Sequence, residues 1–154
     1  MQKPYKIEFG ANGRKMDGWI GTDIDTADIR KPLNWSDNSC EMLYASHVLE
    51  HVGSHHAVQF LQECHRILIP GGTLRLVVPA IGTHLERSHV INLLDWSHEH
   101  CQGYNEDLLR TMLWAAGFEL QKIQRVDWDE IDVHHLTIGI ERDRLESLRM
   151  EATK

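Results

Sequence analysis

The sequence predicts an α/β fold built on a mostly parallel sheet flanked by helices, and three observations carry that expectation. Two runs rich in apolar and β-branched residues, MLYAS at 42–46 and TLRLVVP at 73–79, have the composition of buried strands. Two other stretches place apolar residues at three- and four-residue spacing, the mark of amphipathic helices. From residue 42 onward the order is strand, helix, strand, helix, strand, which is the order of a largely parallel sheet. Ligands of such sheets bind beyond the carboxyl ends of the strands.

Taken along the chain, YKIEF (5–9) and GWIGTD (18–23) read as short strands ahead of MLYAS. From Ser54 to Leu68 the apolar positions Ala57, Phe60, Leu61, Cys64, Ile67 and Leu68 define a helix, with Ser54 as N-cap and the Pro-Gly-Gly at 70–72 as its stop. A second helix runs from Asn105, its cap, to Ala116, with Leu108, Leu109, Met112 and Leu113 on one face and Gly117 at its end. GFELQKIQRV (117–126) and HHLTIGIE (134–141) are later strands by the same test, and RDRLESLRMEATK (142–154) reads as a charged helix, solvated or part of a dimer contact.

At 154 residues, without repeats or a linker, the chain is expected to form a single domain over 1–154. Its 16 basic and 23 acidic residues give a formal charge of -7, which argues against nucleic acid or an anionic membrane face as partner and favours a cationic ligand. Cys40, Cys64 and Cys101 are odd in number and widely spaced, so neither a disulfide framework nor a Cys-x-x-Cys zinc site is indicated. With no signal-length apolar segment at the start and no run of 18 apolar residues, a cytoplasmic location is expected.

The chemistry-bearing residues gather in the first half. EFGANG (8–13) follows the first strand and supplies glycines for a close backbone approach, although one Gly-x-x-Gly on its own is more often a turn than a site. GTDID (21–25) places Asp23 at a strand end, where a carboxylate can accept from both hydroxyls of a ribose; Asp23 and Asp25 read also as turn residues. In ADIRKPLNWSDNS (27–39), Asp28 beside Ile29 could pair an adenine amino group, and Trp35 is either its cover or a core aromatic.

In order, these pieces resemble class I S-adenosylmethionine-dependent methyltransferases, in particular a small type-11-like group. The matching residues are Gly10, Gly18 to Asp23, Pro32 to Ser39, the YASHVLEH run from Tyr44 to His51, and Glu63 to Pro79 with its ILIPGGTLRLVVP. HEHCQGYNEDLLRTMLWAAGF extends the likeness, which covers roughly residues 7–140. The resemblance implies S-adenosylmethionine as cofactor, cradled at its methionine end by the loop Glu8, Phe9, Gly10, Ala11, Asn12 and Gly13. It implies further that Asp23 and Ile24 hold the ribose side, that Asp28 and Ile29 meet the adenine, and that Ser46 and His47 line the pocket.

The chain departs from that pattern in places. Asn12 stands where many relatives have glycine, and Glu41 where an aspartate is usual. Nine residues, Gly10 to Gly18, separate the first two strands, fewer than the dozen or so a parallel crossover takes, and four separate Asp23 from Asp28. The fold implied is therefore a reduced Rossmann-like one, its first crossover helix and third strand shortened or missing. A partner molecule, such as the second copy of a homodimer, is expected over the trimmed side.

Methyl transfer is an in-line displacement, and a general base is needed only for a protonated nucleophile. His47 and His51 after one strand and His98 and His100 after another are placed for that role, with Tyr104 nearby; His51 reads also as a loop histidine, and His55, His56 and His65 as surface or packing residues. A zinc site from HEHC with His47 or His51 lacks the usual ligand spacings, so no metal is expected. The broken Gly-x-Gly pattern disfavours a dinucleotide-binding protein. The expected function is transfer of a methyl group to a small-molecule or carbohydrate-like acceptor, the alternatives being an inactive methyltransferase-like binding module or a His/Cys metal-binding protein.

Overall fold

The computed structural model describes residues 4–80, 100–134 and 147–154. Six strands, β1 (Tyr5–Phe9), β2 (Ile20–Thr22), β3 (Cys40–Ser46), β4 (Leu68–Pro79), β5 (Ile123–Arg125) and β6 (Ser147–Thr153), form one sheet in the order β2-β1-β3-β4-β6-β5. The pairings β1–β2, β1–β3 and β3–β4 are parallel, and β6 alone runs against its neighbours β4 and β5. Helices α1 (Ser54–Ile67), α2 (Glu106–Ala115) and α3 (Glu130–His134) are the helices among the described residues, with short 3-10 turns at Leu49–His51 and Leu120–Lys122.

Alternation along the strands divides the sheet into two unlike faces. Ile7, Phe9, Leu43, Ala45, Leu74, Leu76 and Met150 point to one side, where they are buried with Phe60, Leu61 and Cys64 of α1 and Leu109 and Leu113 of α2. Phe9 anchors this core through edge-on contacts with Phe60, 4.9 Å between ring centres, and Trp35, 6.2 Å. Across the other face runs a polar row set by the register, Glu8 opposite Tyr44, Tyr44 opposite Arg75, and Arg75 opposite Glu151. There the Arg75 guanidinium binds Glu151 and Asp129, its Nη1 lying 3.3 Å from Asp132 Oδ2, while the Tyr44 hydroxyl donates to Asp132 Oδ1 at 3.0 Å.

The caps follow local chemistry. Asn105 Oδ1 accepts from the Leu108 amide at 2.8 Å, and Gly117, at φ 113°, ends α2 in a conformation glycine favours. α1 starts differently from expectation: Gly53 is the cap, its carbonyl accepting from the Ala57 amide, and Ser54 is the first helical residue with its hydroxyl on Gln102. The Pro-Gly-Gly does not separate helix from strand but bulges within β4, where Leu68 pairs with Cys40 and Thr73 with Met42.

The C-terminal segment corrects the helix reading. Residues 147–153 form β6 because Leu148, Met150 and Ala152 alternate into the core, while Arg149 and Glu151 meet Asp132 and Arg75 on the polar face. The strand expected over 117–126 is confined to Ile123–Arg125 by the preceding turn. Of the strand expected over 134–141 only position 134 is described, as the end of α3, and the rest lies outside the described residues.

The trimmed side is as the spacing predicts. Ten residues, 10–19, join β1 to β2 through turns and no helix, and among the described residues β2 is the edge of the sheet with no strand beyond it. Among the described residues no helix is long and apolar enough to cross a membrane.

Candidate active site

At the carboxyl ends of β1, β2 and β3 lies a cleft of about 690 Å³, within the range of roughly 300–1,000 Å³ that suits a small ligand or cofactor. Three chain reversals shape it. Gly10, at φ 69°, turns the chain out of β1 so closely over Val48 that a Cβ there would stand 2.5 Å from Val48 Cγ2. Asn12 follows at φ 51°; asparagine is among the residues that tolerate the left-handed region, so the loop keeps its shape without glycine there. His47, at φ 55°, reverses the chain at the end of β3.

Asp23 ties the two strand ends together. Its Oδ1 accepts from the Asn12 amide at 2.8 Å and its Oδ2 from the Gly13 amide at 3.4 Å, while a tight turn, Ala27 N to Asp23 O at 2.7 Å, fixes its own backbone. A carboxylate offers about four lone-pair sites, so acceptor capacity remains towards the cleft. Beneath the loop, Glu8 is buried and ion-paired with Arg14, whose guanidinium also reaches the Gly10 carbonyl at 3.4 Å. Asp28 accepts both side-chain bonds of Arg30 at 2.9 Å, and these bonds hold its carboxyl well below the usual carboxylate range.

Of the residues expected to hold the cofactor, Gly10, Asn12, Asp23, Ile24, Asp28, Ile29, Ser46 and His47 line this cleft. Glu8, Phe9, Ala11 and Gly13 do not: Glu8 lies under the loop, Phe9 and Ala11 are buried, and Gly13 contributes its amide to Asp23. Trp35 packs on the core cluster and is absent from the lining. Ala27, Arg30, Val48 and Val52 are lining residues the sequence did not single out. Val48 lies within the YASHVLEH run, but its contact with the turn at Gly10 has no signal in the sequence; Arg30 had one in its spacing two residues from Asp28.

The expected histidines come together at one end. His47 and His51 line the cleft, and His100 packs edge-on against His51, ring centres 5.0 Å apart. His47 has Nε2 3.2 Å from Ser147 Oγ and Nδ1 3.2 Å from Glu50 Oε1. His98 and Glu99 lie outside the described residues. His55 is exposed on α1, and His65 packs edge-on against Phe118, where burial lowers its pKa. None of Cys40, Cys64 and Cys101 is in a disulfide.

A glycine loop, a strand-end carboxylate and a cleft beyond parallel strands are the features with which open α/β sheets receive nucleoside-containing ligands. Residues 7–76 match the family model Methyltransf_11, described as a methyltransferase domain. The whole chain superposes on a SAM-dependent methyltransferase from Thermotoga maritima at 15% identity and TM-score 0.64, covering 84% of that chain. A SAM-dependent methyltransferase from Archaeoglobus fulgidus gives TM-score 0.64 at 13% identity, over 99% of this chain and 87% of that one. PigF, solved with SAH, gives 0.60 at 9% identity over 90% of this chain, which spans 36% of its length. No curated protein matches the sequence significantly. At such identities the structures establish the Rossmann-like fold alone, and the likeness in sequence to a methyltransferase domain covers residues 7–76.

Proposed function

We propose that the protein transfers the methyl group of S-adenosylmethionine to a small-molecule or carbohydrate-like acceptor, with the cofactor in the cleft at the ends of β1, β2 and β3. The observation that carries this reading is Asp23, a carboxylate at the end of β2 that faces the cleft while it grips the glycine-loop amides. Its remaining lone pairs suit the ribose hydroxyls, and the left-handed Gly10 lets the methionine end approach the backbone. The formal charge of -7 supports a neutral or cationic acceptor over nucleic acid.

His47 is the candidate base, since it lines the cleft at the end of β3 with its Nε2 3.2 Å from Ser147 Oγ and its Nδ1 3.2 Å from Glu50 Oε1. The test is calorimetric titration with S-adenosylmethionine and S-adenosylhomocysteine on the wild type and on Asp23→Ala. Micromolar binding that weakens at least about tenfold in the variant is expected, from loss of charge-assisted hydrogen bonds of roughly 1.5–3 kcal/mol. Absence of binding below about millimolar in the wild type overturns the reading.

A further inference from the structure

Beside the cleft stands a donor cluster that methyl transfer does not by itself require. Glu50 is 1% exposed, yet neither of its carboxylate oxygens has a hydrogen-bond partner among the described residues. His47 Nδ1 is 3.2 Å from Oε1 but lies out of line for a hydrogen bond, and His51 Nε2 is 4.0 Å from the same oxygen. A buried carboxylate with unfilled acceptors costs free energy unless a cation meets it. One donor atom from each of Glu50, His51 and His100 falls within 4.8 Å of the other two.

The cluster is built, not incidental. The Cys101 and Gln102 amides both donate to the Glu50 carbonyl, at 2.7 and 3.3 Å, and the Tyr104 hydroxyl donates to the Leu49 carbonyl at 3.2 Å. These bonds clamp the segment after His100 onto the turn that carries Glu50 and His51. Cys101 is turned to the backbone, its thiol donating to the His51 carbonyl at 3.4 Å. Two ligands about 2 Å from one ion stand roughly 3–3.5 Å apart, so closure by up to roughly 1.5 Å completes the set. His51, with 41% of its side chain exposed, and half-buried His100 have room for that rotation.

We propose that Glu50, His51 and His100 bind one divalent transition cation of the zinc class through two imidazoles and a carboxylate, leaving an open coordination position at the rim of the cleft. Two histidines and one carboxylate suit zinc and its first-row neighbours better than magnesium or calcium, which take mainly oxygen. His47, 3.2 Å from Glu50 Oε1, stays outside the donor set. The open position faces the cleft through His51 and would take an oxygen of the acceptor; that last consequence rests on the methyl-transfer reading, whereas the ion site does not.

The experiment is titration of the chelator-treated full-length protein with zinc by calorimetry and with cobalt by visible absorption, on the wild type, His100→Ala, Glu50→Gln and His55→Ala. One equivalent is expected to bind the wild type and His55→Ala, the latter changing an exposed histidine outside the cluster, with binding at least tenfold weaker in His100→Ala and Glu50→Gln. Circular dichroism on each variant identifies loss of fold, and His100→Ala, a half-buried loop position, carries the test if Glu50→Gln does not fold. No stoichiometric binding in the wild type, or binding unchanged in a folded His100→Ala, overturns the site. S-adenosylmethionine titrations on the same samples separate the two readings: metal binding without cofactor binding sinks the proposed function alone, and the reverse sinks the metal site alone.

Discussion

Gly10→Ala tests the tight passage of the loop over Val48. Two costs follow from its geometry. The residue sits at φ 69°, in the left-handed region, where a side chain costs about 1 kcal/mol or slightly more. The new Cβ would stand 2.5 Å from Val48 Cγ2, well inside the 3.4 Å at which ordinary contact begins. Valine is stiff at χ1 and cannot swing the methyl away freely, so the overlap adds roughly 1–3 kcal/mol. Together about 2–4 kcal/mol must appear as lost stability, lost S-adenosylmethionine affinity, or a division between the two. Urea unfolding and calorimetric titration on one preparation measure both. Val48→Ala in the same chain removes the overlap but not the strained φ, so the double variant recovers roughly 1–3 kcal/mol of coupling in a double-mutant cycle. If Gly10→Ala alters neither quantity by more than about 0.5 kcal/mol, or the cycle shows no coupling, the loop does not lie over Val48 as described.

Two further outcomes test the body of the fold. Arg75→Met strips the counter-charge from Asp129, Asp132 and Glu151 on the polar face, and unfolding free energy should fall by roughly 3–5 kcal/mol, with a loss under about 1 kcal/mol refuting a structural role. Burial against Phe118, with Lys154's charge as a lesser cause, sets the folded pKa of His65 below its ordinary 6.5. Above 6.5 both states are neutral and the residue contributes nothing; as pH falls below it the unfolded chain gains a proton the folded one resists, so stability drops on acidification. The difference between wild type and His65→Gln in urea midpoints from about pH 7.5 to 5.5 should show this, at no more than about 1.4 kcal/mol per pH unit, and equal slopes refute it.

What the sequence made legible was local. β3, α1, most of β4 and the Asn105 cap announce themselves by composition, spacing and capping chemistry, because each buries one face or satisfies one helix end with nearby residues. β6 was hidden because its alternation is masked by Arg149 and Glu151, charges that look solvated until Asp132 and Arg75 arrive from 17 and 76 residues away in the chain. The Pro-Gly-Gly misled for a similar reason: Gly71, at φ 82°, gives its amide to the Lys154 carbonyl, a partner at the other end of the sequence. Asp23 and His47 could be named as site residues from strand ends alone, but the Glu50, His51 and His100 grouping depends on the 101–104 segment folding back onto the turn at 49–51.

The trimmed side also explains why acidic side chains crowd the loop. With a full first crossover, a helix N-terminus would follow the glycine loop and its amides would hold the loop and present positive charge to the cofactor. Here ten residues of turn replace it, and the loop amides of Asn12 and Gly13 are held instead by Asp23, while Glu8 through Arg14 holds the Gly10 carbonyl. A side-chain brace of this kind leaves negative rather than positive charge beside the cleft. On the proposed reading, the Asp23 carboxylate suits a sulfonium cation better than it suits the pyrophosphate of a dinucleotide.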